Sequence, residues 1–217
     1  MSRRRSSTSQ TRRDPGGAGF LGALDRDVLR RASTVVGVDE VGRGSIAGPV
    51  VVAAAVFDQI PDNELIRDSK RMTAGQRRRA AVWLRSACVS WVVCEVWPEL
   101  IDRINILEAT RLAMRSSIRA VTPPGAEVIV DYVDLGELEL PVHSVKAADS
   151  TYFSVAAASI LAKVHRDRIM MELGERDDRW GWSQNMGYGT LAHRRAIGRF
   201  GRSYLHRRSF RVVPVLP

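Results

Sequence analysis

Cysteine is scarce. Cys88 and Cys94 are the only two in 217 residues. If both lie on one strand they stand roughly 20 Å apart at about 3.3 Å per residue, beyond disulfide reach, so both are read as reduced thiols. Only four scattered histidines accompany them, so no zinc-ligand spacing exists and soft-metal chemistry is not supported. Long apolar runs are also missing. The longest, around Pro49 to Phe57, is strand-sized and far short of the ~18 residues a membrane span needs, so a soluble protein with no membrane partner is expected. The first twenty residues contain almost nothing apolar and read as a disordered basic tail. Their Arg- and Ser-rich, acid-poor character suits a transit peptide, but no apolar h-region follows, and a cytoplasmic protein is expected. Lysine is scarce as well: among 33 basic residues only Lys70, Lys146 and Lys163 are not arginine. Those positions favour a compact ammonium over a planar guanidinium.

What is present is positive charge and enough apolar content for a core. The formal net charge is +9, the pI about 10.5 and the hydrophobic content 45%. These values suit one compact domain with appendages and a polyanionic partner, nucleic acid or an anionic surface. From His193 to Pro217 there are seven arginines and no acid. The interleaved Phe200, Tyr204 and Phe210 make that end a binding surface rather than a solvated tail.

The elements alternate in an α/β pattern. A short helix is expected over Leu21 to Arg31, then a hairpin-like pair of strands, Val35 to Val41 and Val50 to Phe57, with Gly42, Gly44 and Gly48 in the turn. Thr73 and Gln76 form a capping-box pattern ahead of a helix. "SWVVCEVW" reads as a strand, and Pro98 opens one long helix that "TPPG" stops. "EVIVDYV" is a further strand and "LPVHSV" a short extended piece. From Ser150 a helix runs to Gly174. Trp180 to Gly189 is a Gly- and aromatic-rich loop, and Thr190 caps a last helix that ends at about Phe200.

Acids stand where strands should be apolar. Asp39 and Glu40 follow "VVGV", Asp131 closes "VIVD" with Asp134 as a rival, and Asp149 precedes a helix. Each has an ordinary explanation as a strand end, turn or N-cap. Strand periodicity sends Asp39 and Glu40 to opposite faces unless the strand breaks or bulges there. If the strand ends and the helix start meet, four carboxylates share one pocket, and two hard divalent cations balance them. Mg²⁺ and Mn²⁺ favour such oxygen ligands, and paired ions serve phosphodiester hydrolysis. The "GRG" turn, Gly42 to Gly44, lets backbone approach a ligand closely, although it equally suits a plain hairpin. Its glycine spacing fits neither a P-loop nor a dinucleotide fingerprint. Ser159 and Lys163 are four apart, one more than a serine-lysine nucleophile requires, and Ser159 reads as a packing residue.

Together "GVDEVGRGSIAGPVVVAA", "DSKRMT", "NILEATRLAM", "SVAAASILAKVHRD", "GYGT" and "HRRSF" resemble, in order, the blocks of type 2 ribonuclease H (ribonuclease HII), over about Val35 to Val213. The resemblance implies a ribonuclease H-like fold, a mixed central sheet flanked by helices with a helical C-terminal extension. Residues 21–175 would form the catalytic core and 176–217 a basic substrate-binding segment. It implies an endonuclease, dependent on two Mg²⁺ or Mn²⁺ ions and expected as a monomer. Its targets would be RNA in RNA/DNA hybrids and single ribonucleotides embedded in DNA, cut on the 5′ side to leave 3′-hydroxyl and 5′-phosphate ends. Asp39, Glu40, Asp131 and Asp149 would be the catalytic metal ligands. Gly42, Arg43 and Gly44 would meet the ribonucleotide 2′-hydroxyl through backbone atoms, Tyr188 would stack at the junction and Lys70 would touch a phosphate. Three departures stand out. "KAAD" is one residue longer than the family's usual segment, Met186 replaces a common lysine, and Tyr132 follows Asp131 where glycine is usual.

Overall fold

The computed structural model describes residues 21–61, 66 and 72–213. The basic tail and Lys70 lie outside the described residues. Two apolar strands, β1 (Thr34–Val41) and β2 (Val50–Phe57), pair antiparallel, and every residue of β2 is buried. A strand apolar at every position must be covered on both faces. Here β3 (Ser90–Val96) flanks β2 on one side, and β4 (Ala126–Asp131) and β5 (Val142–Val145) extend the sheet beyond β1. The order is β3-β2-β1-β4-β5, with β1, β4 and β5 mutually parallel. This is the mixed central sheet that the sequence leads one to expect.

Helices cover both faces. On one, α1 (Ala23–Leu29), α2 (Ala74–Ala87) and α5 (Phe153–Arg176) enclose Val35, Ala53, Phe57, Leu84, Phe153 and Ile160. On the other, α3 (Pro98–Ile104) and α4 (Ile106–Val121) bury Ile101, Met114 and Ile118 against Val36, Val38 and Val52. The C-terminal segment carries α6 (Trp182–Asn185) and α7 (Leu191–Phe200). It adds a smaller core of Trp180, Trp182, Ile197 and Leu205 against Ala47 and Met170. No helix among the described residues is long and apolar enough to cross a membrane.

Three sequence expectations need correction. The stretch Trp180 to Gly189, expected as a loop, contains the short helix α6. The single helix expected from Pro98 is two, because Asn105 takes φ 67° and its Oδ1 accepts from the amides of Leu107 and Glu108, starting a new helix. An asparagine side chain that satisfies those amides and tolerates positive φ is what such a break requires. The helix expected from Ser150 begins at Phe153 after a 3₁₀ turn, Ala148–Ser150, and passes Gly174 to end at Arg176. Gly174 lies inside it because Ser183 packs there, with a backbone atom 3.0 Å from where a Cβ would stand. The thiols of Cys88 and Cys94 are free, as expected, but only Cys94 lies on a strand; Cys88 ends α2.

Candidate active site

Parallel pairing of β1 with β4 brings the two acidic strand ends side by side: Val38 pairs with Val130, and Asp39 and Asp131 follow. Pairing with β2 continues unbroken through Asp39, Glu40 and Val41, so no bulge turns the two acids to one face. Asp39 points toward α5, and Glu40 lies on the opposite face at the same strand end. The third segment arrives because α5 crosses β1 closely. A Cβ on Gly37 would stand 2.0 Å from the Ser154 carbonyl carbon, so only glycine permits that approach. The first amides of α5 are capped by Asp25 of α1, through Phe153 N at 2.7 Å and Ser154 N at 3.1 Å. Asp149 therefore does not cap this helix. It lies in the preceding 3₁₀ turn, whose Ala148 N donates to Asp131 Oδ1 at 3.0 Å, tying its segment to the strand end.

Within "KAAD", Ala147 takes φ 56°. Tyr132, where the family favours glycine, takes φ 48° and is exposed. Asp134, the rival to Asp131, lies beyond the end of β4. It is exposed, accepts from Gly136 N at 2.9 Å and faces Arg111.

The electrostatics are those of crowded acids. Burial, the charge of Glu40 and that of Asp131 hold the Asp39 carboxyl well above the usual range, opposed by hydrogen bonds from Ser159 and from Glu40 N at 2.7 Å. Burial, with Asp131 adding to it, pushes Glu40 up to about 7 against the pull of Arg43, whose Nη1 lies 3.7 Å from Glu40 Oε1. The other oxygen, Glu40 Oε2, is buried with no hydrogen-bond partner among the described residues. Ser159, read from sequence as a packing residue, thus contacts the central acid.

An all-oxygen donor set with an orphaned buried carboxylate oxygen fits a hard divalent cation. Among the described residues, no three acidic, histidine or cysteine side chains converge tightly enough to cage an ion unaided. Mg²⁺ commonly binds through one or two carboxylates, completing its shell with waters and substrate phosphates. The residues fit such an open site rather than a closed structural one.

Beside the acids, two arginines that sequence reading did not single out lie beneath the turn: Arg207 bonds the Gly-Arg-Gly strap, and Arg166 bonds the segment that follows it. Arg207, fully buried, donates to Gly42 O at 2.7 Å, Arg43 O at 2.9 Å and Gly48 O at 3.0 Å. Arg166, also fully buried, donates to Pro49 O at 2.9 Å, Met186 O at 2.8 Å and Ala47 O at 3.2 Å. Backbone carbonyls receive both guanidinium groups. Burial and the proximity of Arg166 lower Arg207 to about 9, so it stays charged at neutral pH and makes the ground under the strap positive. The signal was present in the "VHRD" and "HRRSF" blocks, but nothing in the Arg-rich terminus distinguishes an inward arginine from its exposed neighbours.

The two outer glycines of the strap differ. Gly42 takes φ 89°, and a Cβ there would lie 2.1 Å from Arg166 Nε, so the protein itself demands glycine. At Gly44 a Cβ would meet nothing within 4 Å among the described residues, and its φ is not in the left-handed region. Tyr188, partly exposed, lies on the neighbouring block with its ring 5.7 Å from the Arg166 guanidinium carbon. Gly187 O accepts from Ile46 N at 2.9 Å and Ala47 N at 3.2 Å, joining that block to the strap. The structure thus brings Asp39, Glu40, Asp131 and the Asp149 turn to one end of the sheet, with Gly42, Arg43, Gly44 and Tyr188 on adjoining segments.

A family model described as Ribonuclease HII matches residues 36–213. A protein named ribonuclease HII from Chloroherpeton thalassium is 42% identical over 195 residues, covering 88% of this chain and 96% of the relative. One of the same name from Paracoccus denitrificans is 44% identical over 193 residues, covering 88% and 91%. Among solved structures, ribonuclease H2 from Pyrococcus horikoshii superposes with a TM-score of 0.69 at 28% identity, over 82% of this chain and 93% of its own. The ribonuclease HII of a PCNA complex from Archaeoglobus fulgidus gives 0.68 at 28% identity, over 80% and 92%.

Proposed function

The chain belongs to the ribonuclease HII family, and from that premise we propose an endoribonuclease that cuts the RNA strand of RNA/DNA hybrids and, in duplex DNA, the phosphodiester 5′ of a single ribonucleotide. Products carry 3′-hydroxyl and 5′-phosphate ends. The observation that carries this reading is geometric: parallel pairing of β1 with β4 sets the buried Asp39 and the half-buried Glu40 and Asp131 on adjacent strand ends, with Asp131 tied to the Asp149 turn through Ala148 N.

Asp39, Glu40, Asp131 and Asp149 would hold two Mg²⁺ or Mn²⁺ ions, which supply an activated water and charge neutralisation for the leaving oxygen. The protein's own work is orientation and selection. Ser159 fixes one carboxylate edge of Asp39, and Ala148 N fixes one oxygen of Asp131. The strap, with Arg207 and Arg166 beneath it, offers backbone at Gly44 where a sugar can approach without meeting a Cβ. Backbone contact to a 2′-hydroxyl is how RNA is told from DNA at one position. Tyr188 stacks at the junction, and Lys70 and the Arg-rich segment 176–217 hold phosphates, with residues 21–175 as the catalytic core. The enzyme acts as a monomer in the cytoplasm.

The test is a labelled duplex containing one ribonucleotide, incubated with Mg²⁺ or Mn²⁺, with a chelator, and in an all-deoxy version. Incision confined to the ribonucleotide and abolished by chelation is expected. Binding without turnover in either metal would leave only a nucleic-acid binder, and equal cutting of the all-deoxy duplex would indicate a DNA nuclease on the same scaffold.

A further inference from the structure

His193 and His206 are buried, exposed by 0% and 2%. Their hydrogen bonds admit one arrangement of protons. Ser203 N–H can only donate, so His206 Nδ1 accepts it at 2.8 Å; Ser203 Oγ, 2.9 Å from the same nitrogen, itself accepts from Leu205 N at 3.2 Å, and the ring carries its proton on Nε2. That proton is directed at His193 Nε2, 3.1 Å away, which must then be the acceptor. His193 consequently carries its proton on Nδ1 and donates to Tyr188 O at 2.8 Å. Trp182 packs 5.2 Å from both rings and Trp180 5.8 Å from His206, so apolar surface encloses the pair. Two apolar rings would fill this space without placing polar atoms in it. What the imidazoles add is a stiff connection from the Ser203 turn to one carbonyl. Tyr188 is otherwise held by Thr190 N on the same oxygen at 2.8 Å and by its own N–H to Asn185 O at 2.9 Å.

We propose that His193 and His206 are positioning residues, a two-ring strut that sets the Tyr188 backbone and thereby the stacking surface at the ribonucleotide junction. The proposal rests on the functional reading above, in which Tyr188 meets the junction. Neither imidazole touches substrate, and burial favours the neutral state the strut requires in both.

The experiment compares kcat/KM on a single-ribonucleotide duplex and on a continuous hybrid for the full chain, His193→Leu, His206→Leu, Tyr188→Ala and each double variant. A misplacement near 1 Å costs up to ~100-fold. The histidine variants should therefore lose ~10- to 100-fold on the single-ribonucleotide duplex and clearly less on the continuous hybrid. In the Tyr188→Ala background they should add less than about twofold, because coupled residues are not additive. His193→Asn, which keeps a donor near the Nδ1 position, should restore part of the loss. If a leucine variant fails to fold, ¹⁵N spectra of the unmodified protein at pH 7 decide directly: opposite neutral tautomers are expected, Nδ1–H for His193 and Nε2–H for His206. Identical tautomers, an imidazolium in either ring, or full additivity with Tyr188→Ala would overturn the strut. A wild-type enzyme with no preference for the ribonucleotide would instead bring down the functional reading, and the strut with it.

Discussion

Substituting Gly44 by alanine separates what the fold needs from what the substrate needs. The new Cβ meets nothing within 4 Å among the described residues and needs no left-handed φ, so the folded protein accepts it without strain. Removing a glycine also restricts the unfolded chain, which stabilises by about 0.4–1 kcal/mol. For a domain of this size that is a rise in Tm of roughly 1–4 °C. A bound sugar is affected differently. A hydrogen bond to the strap backbone brings its partner to ~3 Å, whereas a methyl carbon needs ~3.5–4 Å from substrate carbon. The substrate is thus pushed back by on the order of 1 Å, a displacement that can cost ~100-fold in rate. Gly42→Ala is the control. Its Cβ would fall 2.1 Å from Arg166 Nε at φ 89°, so stability and rate should fall together. Single-turnover cleavage of a one-ribonucleotide duplex and thermal denaturation of both variants provide the readouts. Gly44→Ala cleaving at the wild-type rate, or melting several degrees lower, would refute the assignment of that open space to substrate.

Asp39→Asn removes one charge from the coupled acids. It should abolish cleavage, preserve duplex binding in a gel-shift assay, and raise Tm when no divalent ion is added. Arg207→Met leaves the carbonyls of Gly42, Arg43 and Gly48 without this donor. At ~1 kcal/mol or more for each, about 3 kcal/mol is lost, and calorimetry should show Tm lower by about 6–12 °C. Burial, with His193 adding to it, lowers His206 from 6.5 to about 4. A depressed histidine favours the folded state fully above its unfolded pKa, and the benefit is lost as pH falls from 6.5 toward 4, where the unfolded chain binds the proton first. Denaturant titrations across that window should show a shallower loss for His206→Leu than for wild type.

Most of the sheet was legible because its signals are local. The unbroken apolar run of β2, the Thr73 and Gln76 capping box and the glycines after β1 each act within a few residues, and the structure shows each as expected. Asn105 was missed inside a helical pattern because a single asparagine there is also compatible with a continuous helix. The acids were legible as oddities in apolar strands. Their gathering depends on the parallel pairing of β1 with β4 and on glycine at position 37, contacts that span most of the chain. Asp25 capping α5, and Arg166 and Arg207 turning inward, are likewise invisible to periodicity, since most of their partners lie more than a hundred residues away. In sequence they resemble any surface charge.

Anomalous diffraction at the manganese edge, from crystals grown with Mn²⁺ and a duplex carrying one ribonucleotide, would locate the ions themselves. Two peaks are expected at the β1 and β4 strand ends, bound by Asp39, Glu40, Asp131 and Asp149 and shared with the phosphate 5′ of the ribonucleotide. Manganese bound elsewhere, or a scissile phosphate lying away from these four carboxylates, would contradict the metal-ligand assignment.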